Sequence, residues 1–233
     1  MVLAALLGLP LGALLSWASE RVWLLASDAA KGRDDRSVHP SSREARSASS
    51  SFPWRGWRAP AVSFVTSGLL ALLALRFDPM WAHLPVVVAC LFFLLIAIVD
   101  LKYRIILNAV VLPVSGLVLL VRIVESPDSV PLALVGGLLG LLPFLLTAMA
   151  KPGGIGGGDV KLAALIGLLL GFPQVLWGIS LGILSGGVFS VILLLFPHWE
   201  RRDYIPYGPF LCLGAITALL YDPITPILLS LGR

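Results

Sequence analysis

Charge is scarce in this chain. Only 13% of its 233 residues are Asp, Glu, Lys or Arg, about half the share found in a soluble globular domain. Against this, 58% are hydrophobic and the mean hydropathy is +0.95. That balance excludes an ordinary water-soluble fold, and almost all of the chain reads as dissolved in a lipid bilayer. Cysteine is scarcer still. Cys90 and Cys212 both lie inside apolar runs, so neither a disulfide framework nor a cysteine zinc site has the residues it needs. His39, His83 and His198 are scattered over separate loops, and no metal site is expected from them. The net charge is +4, but the basic residues fall between apolar runs instead of forming one patch. That is the pattern of membrane topology and not of a nucleic-acid surface.

What the chain does have is a succession of apolar runs, at about 2–15, 59–75, 84–99, 105–121, 131–150, 160–170, 175–196 and 207–221. A helix needs about 20 residues to cross about 30 Å of hydrocarbon, so the run at 160–170 is short. Gly171-Phe172-Pro173 separates it from the next run, which makes 160–196 a hairpin and not one long helix. The expected fold is all-α, a polytopic membrane protein of about eight transmembrane helices with one short helix after a glycine loop. No basic residue precedes the first run, unlike a cleavable signal peptide, so it reads as a retained span (1–26) with the N-terminus outside. Residues 27–58 are polar, with Lys31, Arg33, Arg36, Arg43, Arg46, Arg55 and Arg58, and read as a cytoplasmic loop. Residues 59–233 form the remaining membrane domain, with 224–231 at the outer surface.

With the N-terminus outside, fourteen of the seventeen Lys and Arg residues fall on the inner side, leaving Arg76, Arg122 and Arg233 outside. The positive-inside rule supports this orientation. Joining 160–196 into one helix would move Arg201 and Arg202 outside, a second reason for the hairpin.

Five glycines in the six residues Gly153–Gly158 are poorly suited to regular helix. They deliver Asp159 and Lys161 to the mouth of an apolar segment, where ionisable residues are costly and suggest function. Asp100 ends the third span on the same inner side. Of the thirteen acidic residues, these two alone combine the membrane edge with a shared face. Two neighbouring aspartates can share one proton, one serving as base toward water and the other as acid toward a carbonyl. The helix ends would separate the roles: Asp159, at an N-terminus, is the better anion, and Asp100, near a C-terminus, the protonated partner. The plainer reading makes each a helix cap or an ion-pair partner of Lys102, Arg104 or Lys161. A rival from another class is a membrane transporter or proton pathway, since broken helices and intramembrane acids also mark solute sites. Both acids lie at one edge instead of the midplane, which counts against it. The spacings Gly136-Gly137-x2-Gly140, Gly178-x3-Gly182 and Gly182-x3-Gly186 read as close helix packing.

Three stretches carry a resemblance. Gly156-Gly157-Gly158-Asp159-Val160-Lys161-Leu162 resembles the G-x-G-D-x-K-L signature of the type IV prepilin peptidase family, membrane aspartyl proteases of the GxGD type. Asp100 to Asn108 resembles its D-x5-I-P-N motif, with Leu107 in place of the proline, and Ile205-Pro206-Tyr207-Gly208-Pro209 resembles its I-P-[FY]-G-P motif. Gly12-Ala13-Leu14-Leu15-Ser16 with Arg21 is a weaker echo of the family's G-S-F-L-N segment. The resemblance spans about 84–215. It implies a membrane aspartic endopeptidase that removes the basic leader of type IV prepilins or pseudopilins at the cytoplasmic face of a bacterial plasma or inner membrane. By it Asp100 and Asp159 are the catalytic pair, Gly156 and Gly158 let substrate backbone approach, and Lys161, Asn108, Pro206 and Gly208 shape the site. The partners implied are the prepilin substrate and the lipid bilayer, with no nucleic acid, and the reactive water needs no cofactor. Many members also N-methylate the product and carry paired cysteines in the first cytoplasmic loop. The 27–58 loop has none, which counts against methyl transfer here.

Overall fold

The computed structural model describes residues 10–22, 58–77, 83–150, 155–195 and 206–223, and among them the regular structure is all helix, with no strand. The polar loop 27–57, Gly153 and Gly154, Ile205 and the segment 224–231 lie outside the described residues. Among the described residues eight α-helices overlap the apolar runs: α1 (10–22), which extends past the run at 2–15, α2 (Arg58–Arg76), α3 (Leu84–Tyr103), α4 (Asn108–Glu125), α5 (Val130–Ala150), α6 (Gly157–Leu170), α7 (Gln174–Leu194) and α8 (Gly208–Leu220). A single 3-10 turn, Pro127–Ser129, joins α4 to α5. Among the described residues four helices, α3, α4, α5 and α7, are long and apolar enough to cross a membrane. The chain is a multi-pass membrane protein.

Two compact units divide the chain, Met1–Ile105 and Ile106–Arg233. In the second, the short helix α6 lies at the centre and packs against α4, α5, α7 and α8. Leu162, Ala163, Leu165 and Ile166 are buried on all sides, which is why a 14-residue segment with no polar face is stable there. The lipid-facing helices show the opposite pattern. On α4, Leu112, Leu117, Leu120 and Val124 are exposed, as bilayer contact requires.

Helix packing follows the glycine spacings. A Cβ on Gly136 of α5 would stand 2.5 Å from the Gly167 carbonyl oxygen of α6, and one on Gly140 would stand 3.0 Å from the Ala163 carbonyl carbon. On the other side, a Cβ on Gly214 of α8 would stand 2.7 Å from the Gly182 nitrogen of α7. Dispersion and backbone approach, not hydrophobicity, drive helix association in lipid, and small residues permit it. These glycines are packing positions, as their spacing suggested.

The hairpin expected between 160 and 196 is present. Helix α6 ends at Leu170 and α7 begins at Gln174. Between them Gly171 takes φ +72°, a value that favours glycine, and donates its N–H to the Gly167 carbonyl at 2.8 Å. Phe172 N–H donates to the Leu132 carbonyl at 2.9 Å, tying the turn to α5. Pro143 sits inside α5 without ending it.

One expectation needs correction. Gly157 and Gly158 are not loop but the first two residues of α6. First-turn N–H groups have no intrahelical partner to lose, and burial of the rest of α6 compensates for glycine's conformational cost.

Candidate active site

The ends of the helices in the second unit sort into two sets. At one end Arg122, in the last turn of α4, donates from Nη2 to the Leu169 carbonyl at 2.6 Å. At the same end Gln174 Nε2 of α7 donates to the Ala218 carbonyl of α8 at 2.6 Å. The starts of α4, α6 and α8 gather at the opposite end. Gly158 of α6 is packed on Ile106, just before α4: a Cβ there would lie 2.7 Å from the Ile106 Cβ and 3.2 Å from its carbonyl oxygen. Tyr207, the residue that caps the start of α8, is close enough to feel the charge of Asp159. The Ile106–Asn108 end of the first motif, the glycine signature and the I-P-Y-G-P stretch, separated by up to about a hundred residues, therefore gather at one end of this unit.

Asp159 is the third residue of α6, after the cap at Gly156 (φ −69°, ψ 140°). Its N–H donates to the Gly156 carbonyl at 3.0 Å, and the residue is 4% exposed. A carboxylate in the first turn is favoured by the exposed N–H groups and the helix dipole. Gly157 has open space where a Cβ would go, whereas Gly158 has Ile106 there; the chain itself occupies that side of the motif. Gly156 and Lys161 are half-buried.

Asn108 is the first residue of α4 and exposed. Leu107 caps that helix with φ −77°, within the range a proline would impose, so leucine preserves the local backbone. Gly208, the first residue of α8, is buried, and Pro206 is half-buried. Tyr207, between them, was not singled out from the sequence. Its ring packs on Phe144 with centroids 5.9 Å apart and leaves no room for a side chain at Gly186, where a Cβ would lie 2.7 Å from Tyr207 Cε2. The signal available was the aromatic inside the I-P-Y-G-P stretch.

Asp100 belongs to the first unit, in the last turn of α3, and is 4% exposed. The helix closes directly behind it. Arg104 N–H donates to the Asp100 carbonyl at 2.7 Å from a left-handed conformation, φ 53° and ψ 37°. A non-glycine residue there costs about 1–2 kcal/mol, so the turn after Asp100 carries backbone strain.

Comparison with known proteins points one way. The model of the "Type IV leader peptidase family" matches residues 87–191, a stretch that contains Asp100, Asn108 and the whole glycine signature through Lys161. A protein named Prepilin leader peptidase/N-methyltransferase from Bacillus subtilis (strain 168) is 29% identical over 162 residues, covering 70% of this chain and 65% of the relative. Proteins of the same name from Aeromonas salmonicida (strain A449) and Pseudomonas aeruginosa PAO1 are 30% and 29% identical, covering 74% and 73% of this chain and 62% and 61% of the relatives. The chain thus spans somewhat less than two thirds of the length of the curated relatives it matches. No solved structure gives a significant match.

Proposed function

We propose, from the match of residues 87–191 to the model of the type IV leader peptidase family, that this chain is a membrane aspartic endopeptidase that removes the basic leader of a type IV prepilin or pseudopilin. The observation that carries the reading is Asp159. It is a carboxylate 4% exposed, set in the first turn of a buried helix and flanked by the starts of α4 and α8. An ionisable group kept from solvent at a packed helix start costs stability, and groups retained at such a cost mark functional sites.

Asp100 is the second carboxylate of the reading, six residues before Ile106 in the chain. In this mechanism the two share one proton. The ionised member takes a proton from water as the oxygen attacks the scissile carbonyl, and the protonated member donates to that carbonyl's oxygen. Collapse of the tetrahedral species breaks the C–N bond, and the proton held by the base passes to the leaving amine. Asp159 is assigned as base, since the start of α6 favours the anion, and Asp100, near the end of α3, as acid. Asn108, Lys161, Pro206, Gly208 and the two motif glycines Gly156 and Gly158 shape the site around them. All eight helices cross or enter the bilayer, with the N-terminus outside and the site facing the cytoplasm of a bacterial plasma or inner membrane. Residues 1–26 supply the first span, 27–58 a cytoplasmic loop and 59–233 the peptidase domain. The relatives' names include N-methyltransferase; the cysteine-free loop argues that this chain does not methylate.

Co-expression with a prepilin, scoring leader removal, tests the reading. Wild type is expected to cleave, and Asp100→Asn and Asp159→Asn to leave the leader in place while still accumulating in the membrane. Cleavage that survives either substitution would remove that aspartate from the mechanism.

A further inference from the structure

By sequence Lys102 counts as one more inner-loop cation. In the structure it sits in the last turn of α3 with its side chain only 10% exposed. Its ammonium is met by three groups of α1. Ser19 Oγ accepts at 3.1 Å, Ser16 Oγ at 3.4 Å, and Glu20 Oε1 lies 3.7 Å away. Ser19 is fully buried and donates its own proton to the Ser16 carbonyl at 2.6 Å, which leaves its lone pairs to accept from the ammonium. Lysine in a loop has no need of two serine acceptors. A largely buried ammonium does, because desolvation is costly until acceptors replace water. Such a cluster fixes a geometry more than it adds stability.

What it fixes is the end of α3. Residues two apart on a helix lie about 200° apart around its axis. Seating Lys102 on α1 therefore sets the roll of the last turn and places Asp100 on the opposite face. Helix α1 is itself seated: Gly12 lies against the backbone of Ser63 in α2, where a Cβ would stand 2.9 Å from the Ser63 nitrogen.

We propose that Lys102 is a positioning residue: held by Ser16, Ser19 and Glu20 of α1, it fixes the roll of the last turn of α3 and so the orientation of the Asp100 carboxylate. The significance for catalysis rests on the assignment of Asp100 above; the positioning itself does not. The first helix thereby acquires a task in the reaction although it contributes no group to it.

The test uses the full-length protein in membranes, as wild type, Lys102→Met, Lys102→Arg, Ser19→Ala and Glu20→Gln. Dicyclohexylcarbodiimide labelling of Asp100 is followed by mass spectrometry over a pH series, alongside thermal unfolding and, with a prepilin, kcat and KM. Ser19→Ala keeps every charge, so a shift of the Asp100 labelling profile in that variant reports geometry. Both Ser19→Ala and Lys102→Met are expected to shift the profile and to lower kcat on the order of 10- to 100-fold with KM held, and Lys102→Arg to restore part of the loss. An unchanged labelling profile in folded Ser19→Ala and Lys102→Met, or activity losses that only follow unfolding, overturns the proposal. Should Lys102→Met fail to fold, Ser19→Ala and Glu20→Gln decide. Should wild type cleave no prepilin, the peptidase reading falls, and the labelling still decides what Lys102 does.

Discussion

Arg122 at the end of α4 donates to the carbonyl of Leu169 at the end of α6 across 2.6 Å, although 47 residues separate them in the chain. Tied at their C-terminal ends, α4 and α6 run parallel, and their starts, Ile106 and Gly158, are brought into contact at the other end. The arginine thereby meets a last-turn carbonyl that α6 leaves unbonded. Arg122→Met is expected to lower stability by about 1–2 kcal/mol, seen as a lower unfolding temperature in detergent. Arg122→Lys should recover part of this, as a point charge that loses the planar fork. Equal stability of all three proteins would show the bond to be idle.

The two glycines that open α6 should respond differently. A Cβ at Gly158 meets Ile106 at 2.7 Å, and one at Gly157 meets nothing within 4 Å. Gly158→Ala is expected to cost about 1–3 kcal/mol through overpacking and to reduce leader cleavage. Gly157→Ala should be neutral or stabilising by about 0.5–1 kcal/mol. Unfolding temperatures and cleavage rates measured side by side check both; the reverse order would contradict the packing of Ile106 on Gly158.

Where α5 crosses α6, backbones are nearly in contact, and alanine is too large. Gly167→Ala, with its Cβ 2.7 Å from the Gly136 carbonyl carbon, and Gly136→Ala should each destabilise by about 1–3 kcal/mol. Gly116→Ala on α4, with open space around it, is the control and should raise stability slightly. Loss of stability in the control comparable to that at Gly167 would mean that helix packing is not the cause.

Two aspartates sharing a proton titrate as a pair. Wild-type kcat/KM for leader cleavage is expected to be bell-shaped in pH, falling at low pH as the base protonates and at high pH as the acid ionises. A profile flat across both limbs would contradict the shared-proton scheme.

The backbone strain after Asp100 has a simple check. Glycine at position 104 removes the Cβ that makes φ 53° costly, so Arg104→Gly should keep the turn at equal or slightly higher stability. Proline there would forbid that φ and delete the N–H that bonds the Asp100 carbonyl, and should destabilise the end of α3.

Local composition was enough to read the membrane character, the apolar runs on which the described helices lie and the break at Gly171-Phe172-Pro173. Each depends on local composition: apolar length for a span, and glycine with proline for an interruption. It also marked Asp100 and Asp159, because a carboxylate bordering an apolar run is costly wherever the chain goes. Helix boundaries were less legible. Gly157 and Gly158 are helical because the rest of α6 is buried among four neighbours, which outweighs glycine's propensity. Asp100 and Lys102 fall inside α3 and not after it for a comparable reason: Lys102 finds acceptors on α1 about eighty residues earlier. Only tertiary structure could decide that Ile106 fills the space beside Gly158, that Tyr207 stands near Asp159, and that an apparent loop cation is buried. Those facts depend on which helix ends meet, and pairings between distant segments leave no mark on composition or spacing.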